Sequence, residues 1–349
     1  MYKLNKKISE LTPYSPITGE YKIRLDANES CFNLPQDILE EIKKAVEIID
    51  YNRYPDPYAT ELCMAFADYY GINPKNVTAF NGSDELITLI MTTFMMSVET
   101  IVTVEPDFSM YRFYTTLAEL NCVSAPKNPD LSVDIDVVIR TVKESGARGV
   151  IFSNPCNPTS KGISKSDIIK LIESVEALVI LDEAYMDFWD ASILNFVNNY
   201  DNLIIMRTAS KAIGAAAIRL GFAVTNEVNT KALRAVKSPY NVNTVSQKIG
   251  TIIYKNKEFL QNRRNTIVSL RKNLYNYLKE IENRYPDKLS IVNGCSNFLF
   301  IKTEFGKEIF DFLLSRGVAI RFMNEYIRIT AGTEKENKTV ASLLEEFLS

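Results

Sequence analysis

Histidine is absent from the 349-residue chain. That absence excludes Ser-His-Asp and Cys-His mechanisms and every metal site built on imidazole. It also removes the usual general base near neutral pH. Acid–base chemistry must then fall to Lys, Asp, Glu, Tyr or a cofactor. A CxxC pair is missing too: the five cysteines, at positions 31, 63, 122, 156 and 295, are scattered and odd in number. They read as reduced, mostly buried thiols of a cytoplasmic protein. There is no surplus of positive charge. Forty Lys+Arg stand against 43 Asp+Glu, a net charge of -3, which points away from a nucleic-acid partner. Long apolar runs are lacking as well. The richest, around Leu86–Val98, is too short and too rich in Thr to span a bilayer. MYKLNKKISELT has lysines but no apolar stretch behind them, unlike a secretory signal.

What is present describes an ordinary globular chain, 46% hydrophobic and 24% charged, long enough for a large domain and a smaller one. Residues 1–30, with Pro13, Pro16 and Gly19, read as an arm. Apolar spacing predicts an amphipathic helix over Asp37–Asp50. RYPDPY (53–58) is a rigid turn. Then short β-branched runs recur: VTAF (77–80), TIVTV (100–104), GVIFS (149–153), ALVILD (177–182), NLIIMR (202–207) and GFAVT (221–225). Each is apolar on both parities, the pattern of strands covered on both faces. Helical segments Asp84–Ser97, Ser109–Leu120, Asp134–Ser145 and Lys165–Ser174 lie between them. Strands alternating with helices predict an α/β fold with a mostly parallel sheet. A charged helical region over 227–284 follows, then SIVNG, NFLFIKT, a helix over Lys307–Arg316, GVAIRF, EYIRIT and a closing helix from Lys335. This is a smaller α+β unit. The expected division is an arm (1–30), a piece of the smaller domain (31–52), the large domain (53–240), and a connecting helix with the smaller domain (241–349).

In a parallel sheet the ligand sits at the carboxyl ends of the strands. Asn81-Gly82-Ser83-Asp84-Glu85 follows VTAF; it is a helix cap or an anion site, without the second Gly and the Lys of a Walker loop. Phe108 follows TIVTV, as core filler or as a plate for a planar ligand. Asn154-Pro155-Cys156-Asn157-Pro158-Thr159 is a stiff loop holding amide side chains. Asp182 ends a buried strand and needs a cation; it reads as a cap, a metal ligand or a counter-ion, and no carboxylates at metal spacing accompany it. Lys211, among small residues after NLIIMR, has no surface role, and a buried amine of this kind serves as a nucleophile. Ser269-Leu270-Arg271-Lys272 fits SxxK, but it lies in a charged helix and no KTG follows.

Taken together, these strand ends resemble the pyridoxal-phosphate aminotransferases of class I/II, which have the aspartate aminotransferase fold. The likeness runs along nearly the whole chain. NPCNPT (154–159), DEAY (182–185), SKAIG (210–214) and RLGF (219–222) carry it jointly. Within that group the chain is similar to the histidinol-phosphate aminotransferase family. LTPY (11–14), LDANES (25–30), RYPDP (53–57), NGSDELI (81–87), RTASKAIG (207–214), SPYNV (238–242) and IRITAG (327–332) carry that narrower likeness.

The resemblance implies pyridoxal 5'-phosphate (PLP) bound to Lys211 as a Schiff base. Asp182 would pair with the ring nitrogen, Tyr185 and Asn157 would bond the phenolate oxygen, and Phe108 would stack on the ring. Gly82, Ser83, Asp84, Thr208, Ser210 and Arg219 would hold the phosphate. Tyr54 would reach that phosphate in the neighbouring subunit of a homodimer. Arg328 would bind the anionic end of both substrates, with Arg321, Tyr14 and Asn28 lining the same side. The implied reaction is amino transfer between L-histidinol phosphate and 2-oxoglutarate in histidine biosynthesis. A broader or aromatic amino acid aminotransferase, or a threonine-phosphate decarboxylase-like enzyme, shares the fold and several motifs. The chain also departs from the family pattern. Phe108 stands where Tyr is usual. Ser160 stands where Gly is usual, which reads as a loop change. Arg321 and Arg328 are closer in sequence than is common. Both can serve one end of a pocket only if GVAIRF and EYIRIT are neighbouring strands.

Overall fold

The structure is a computed structural model that describes residues 2–9, 11 and 16–349. Tyr14 lies outside the described residues. The central sheet has seven strands, ordered Val77–Asn81, Leu220–Thr225, Leu203–Thr208, Leu178–Asp182, Gly149–Ser153, Thr100–Glu105 and Asn121–Pro126. All neighbours are parallel except Leu220–Thr225, which runs antiparallel to both of its own. The double-parity runs have a direct cause. Val150, Val179 and Ile205 face one apolar core, while Ile151, Ile180 and Ile204 face another. The strand Asn121–Pro126 was not evident in the sequence. It is an edge strand with only Ala125 fully buried, so it needs no continuous apolar run.

The charged helical region is three helices, Glu227–Val236, Thr244–Lys255 and Lys257–Arg284. Ile253, Tyr254 and Leu260 pack in the first core of the large sheet. Further along, Leu274, Leu278 and Ile281 pack in the core of the smaller unit. The last long helix thus runs from one core to the other. The helix Gln36–Glu47 packs along Thr244–Lys255.

The smaller unit is a four-stranded antiparallel sheet of Arg321–Met323, Tyr326–Thr330, Phe298–Lys302 and Ser290–Val292. GVAIRF splits at Ile320. Val318–Ala319 pairs in parallel with Ile23–Arg24 of the arm instead. Leu25 continues that contact, donating its N–H to Ala319 O at 2.8 Å and accepting from Thr330 N at 3.0 Å. Leu25 is buried in the smaller core, which anchors the arm there. Among the described residues no helix is long and apolar enough to cross a membrane. All five cysteines are free; Cys63 and Cys156 are buried and the others half-buried.

Candidate active site

Three groups of side chains meet at the carboxyl ends of the large sheet. The first is an anion cradle. The helix Gly82–Thr93 starts straight after its strand, so its first amides are free of intrahelical partners. Gly82 has φ +79, and a Cβ there would lie 2.7 Å from Arg219 Nη2. Gly221 is as constrained, because its Cβ would lie 2.5 Å from Ser83 N and Gly82 C. The two glycines let the helix start and the neighbouring strand approach closely. Arg219, itself left-handed at φ 51, aims its guanidinium at Asp84 Oδ2 (3.3 Å) and Ser210 Oγ (3.5 Å). The buried Thr208 hydroxyl accepts from Ser210 N at 3.1 Å and shapes the same turn. Gly82, Ser83, Asp84, Thr208, Ser210 and Arg219 therefore share one place. Free amides, hydroxyls and one guanidinium there suit a phosphate.

The second group surrounds Asp182, at the end of the strand Leu178–Asp182. Its Oδ2 accepts from the Tyr111 hydroxyl at 2.7 Å, and its Oδ1 accepts from Ala184 N at 3.0 Å. Those partners are a phenol and an amide, not a cation. Burial pushes this carboxyl up to about 6; the Tyr111 and Ala184 hydrogen bonds pull it back, and the Asp107 and Asp84 charges push it further up. A cationic ring above it would return Asp182 to the carboxylate form. Phe108 lies alongside, its ring edge-on to Tyr111 at 5.5 Å.

The third group closes the site from the arm and the smaller unit. Lys211 is half-buried, and its Nζ donates to Ala27 O at 2.8 Å. Asn28, buried and left-handed at φ 54, donates from Nδ2 to the Tyr185 hydroxyl at 2.9 Å and bonds Thr330 Oγ1 at 3.1 Å. Arg328, 8% exposed, donates to Asn157 Oδ1 at 2.6 Å and to Asp26 O at 2.7 Å. Arg321 is its direct partner across the sheet. Tyr54 stands apart: it is 81% exposed and stacks on Tyr240 with ring centres 4.6 Å apart.

Several residues of the site were not evident in the sequence. Tyr111 is the chief one. It lies three residues beyond Phe108, so one helical turn carries both. Asp107 is another; it accepts from Ser153 N at 3.0 Å and Phe108 N at 2.8 Å. It thereby ties the Phe108 turn to the strand before NPCNPT. Lys127 braces the same corner, donating to Pro106 O at 2.6 Å and to Cys156 Sγ at 2.9 Å. Ser160 is more than a loop change. It is left-handed at φ 60 and fully buried. Its Oγ accepts from Ser296 N and its carbonyl from Cys295 N, both at 2.8 Å. A Cβ on Gly294 would lie 2.4 Å from the Ser160 Cβ, so the two segments interlock.

The residues present thus fit a planar ligand with a phosphate at one end and a cationic ring nitrogen at the other, beside one amine. The chain matches the family model Aminotransferase class I and II over residues 20–344, and it belongs to that family. Its relatives within the family carry a narrower name. It is 42% identical over 344 residues to histidinol-phosphate aminotransferase of Clostridium novyi (strain NT), covering 97% of this chain and 95% of that one. It is 33% identical to the enzyme of the same name from Clostridium kluyveri, over 100% and 99% of the two chains. Among solved structures, histidinol-phosphate aminotransferase from Sinorhizobium meliloti in complex with pyridoxal-5'-phosphate has the same fold, with TM-score 0.88 at 22% identity over 100% and 98% of the chains.

Proposed function

We propose that this chain is a PLP-dependent aminotransferase acting between L-histidinol phosphate and 2-oxoglutarate. The products would be imidazole-acetol phosphate and L-glutamate, in L-histidine biosynthesis. The observation that carries the reading is the convergence of an amine, a buried carboxylate and an anion cradle at adjoining strand ends. When bound, PLP supplies an electron sink for charge developing at the substrate Cα.

The chain's own residues do the rest. Lys211 tethers the cofactor and, once its amine is free, moves a proton to and from the substrate Cα. This supplies the general base that a chain without histidine otherwise lacks. Asp182 would keep the ring nitrogen protonated, since a buried carboxylate beside that nitrogen favours its cationic form. Tyr185 and Asn157 orient the ring through its phenolic oxygen, and Phe108 covers one face. Gly82, Ser83, Asp84, Thr208, Ser210 and Arg219 hold the phosphate.

Arg328 receives the anionic end of either substrate, with Arg321 beside it. Asn28 acts through Tyr185, and Tyr14 completes the substrate side. Tyr54, exposed in the single chain, is suited to complete the site of a neighbouring copy, so the working form is a homodimer in the cytoplasm. Supply of each amino donor with 2-oxoglutarate tests the assignment. Histidinol phosphate should outrun phenylalanine, aspartate and threonine phosphate in glutamate formation. A preference for phenylalanine or aspartate would keep the aminotransferase and discard its substrate. Release of carbon dioxide from threonine phosphate would favour a decarboxylase.

A further inference from the structure

We infer that Tyr111 is the positioning residue that keeps Asp182 in its carboxylate form, ready for the cofactor's ring nitrogen. The inference rests on the reading of the site as a PLP site. Tyr111 is 1% exposed on the first turn of the helix Met110–Leu117. A phenol has one proton to donate, and here it goes to Asp182 Oδ2 at 2.7 Å. The other carboxylate oxygen takes Ala184 N at 3.0 Å. Each oxygen keeps acceptor capacity for a further donor.

The donated hydrogen bond matters because, apart from the Ala184 amide, the surroundings of Asp182 oppose its charge. Burial is the largest influence, and the Asp107 and Asp84 charges act in the same direction. The Cys156 thiol lies 3.7 Å from Asp107 Oδ1, and the Lys127 charge acts on Asp107. Tyr111 itself is held as a donor: burial first, then the Asp182 and Asp107 charges, push its hydroxyl well above the ordinary tyrosine range. The phenol therefore stays protonated wherever the enzyme works. Phe at this position would keep the ring, its volume and the edge contact to Phe108. It would remove only the proton that the carboxylate accepts.

The test is uptake of PLP by the apo-protein, followed by absorbance, with the dissociation constant measured between about pH 5.5 and 9. Binding weakens on the acid side as Asp182 takes up a proton. In Tyr111→Phe that weakening should begin about one pH unit higher, so that affinity falls roughly eightfold near pH 5.5 but only about twofold near pH 7. Near-UV circular dichroism should stay unchanged. In Asp182→Asn the acid limb should vanish, and adding Tyr111→Phe should shift nothing further. Site-specific 3-fluorotyrosine at position 111, a stronger donor, should move the limb to lower pH. It supplies the answer if Tyr111→Phe does not fold. Superimposable profiles, an equal loss at every pH, or a shift that persists beside Asp182→Asn would overturn the inference. Failure of the wild type to take up PLP, or a borohydride label away from Lys211, would sink the PLP reading itself.

Discussion

Arg321 and Arg328 are directly opposite residues on two antiparallel strands, so both side chains leave the same face of the smaller sheet. Like charges so placed destabilise a sheet, and an anion held between them reverses the sign. A phosphate carries more charge for that place than a carboxylate. Arg328→Ala should therefore damage both half-reactions. Arg321→Ala should damage the histidinol-phosphate half more than the glutamate half, by about 1.5–3 kcal/mol if one charged hydrogen bond is lost. Single-turnover rates of each half-reaction check this, and equal losses would remove Arg321 from discrimination.

Lys211→Ala should still bind PLP without a covalent link, since the anion cradle and Asp182 remain. Turnover should drop by several orders of magnitude, because tether and proton shuttle are lost together. Borohydride reduction followed by peptide mapping should label Lys211 in the wild type and nothing in the variant.

Asp182 gives the apo-protein an unusual pH response. Its carboxyl is raised to about 6 from 3.8, so the folded apo-state binds the proton more tightly than the unfolded chain. That contribution favours folding below about pH 4 and is lost as pH rises through about 6. Asp182→Asn should accordingly raise the melting temperature of the apo-protein at pH 7–8, by a free energy on the order of 1–3 kcal/mol. The gain should shrink below about pH 4–5. With PLP added the order should reverse. A variant no more stable than wild type at pH 8 would contradict a net cost of burying this carboxylate.

Gly221→Ala tests the cradle from behind. The new Cβ would meet Ser83 N and Gly82 C at 2.5 Å, and both are backbone atoms that cannot swing aside. The helix start must shift, at a cost of about 1–3 kcal/mol. Calorimetry should record the destabilisation, and PLP affinity should fall with it. Unchanged affinity would mean that these amides do not bind the phosphate.

The large sheet was legible because runs such as VILD and LIIM are apolar on both parities, which only a doubly covered strand requires. One of its two edge strands, Asn121–Pro126, was not, since only Ala125 in it is buried. The break in GVAIRF was also hidden, because Ile320 is buried like Val318 and Ala319 before it and only partner choice separates the halves. Among site residues, Lys211, Asp182 and the glycine turn carry signals of their own: an amine or a charge at a strand end, a Gly before a helix. Tyr111 carries none. A tyrosine on a helix becomes a partner of Asp182 only when the helix packs back over the strand end. Ser160 was read as a loop change for the same reason, as its contacts lie with residues 294–296, more than a hundred positions away.

The arm residues Asp26 and Ala27 offer their carbonyls to Arg328 and Lys211, while Ile23–Arg24 is stitched to Val318–Ala319 of the smaller unit. This makes the arm a crank. Any rotation of the smaller sheet carries those two carbonyls with it and changes where the amine and the guanidinium rest. The carbonyl that holds Lys211 back is thus fixed to the same body as the arginine that would greet an incoming anion.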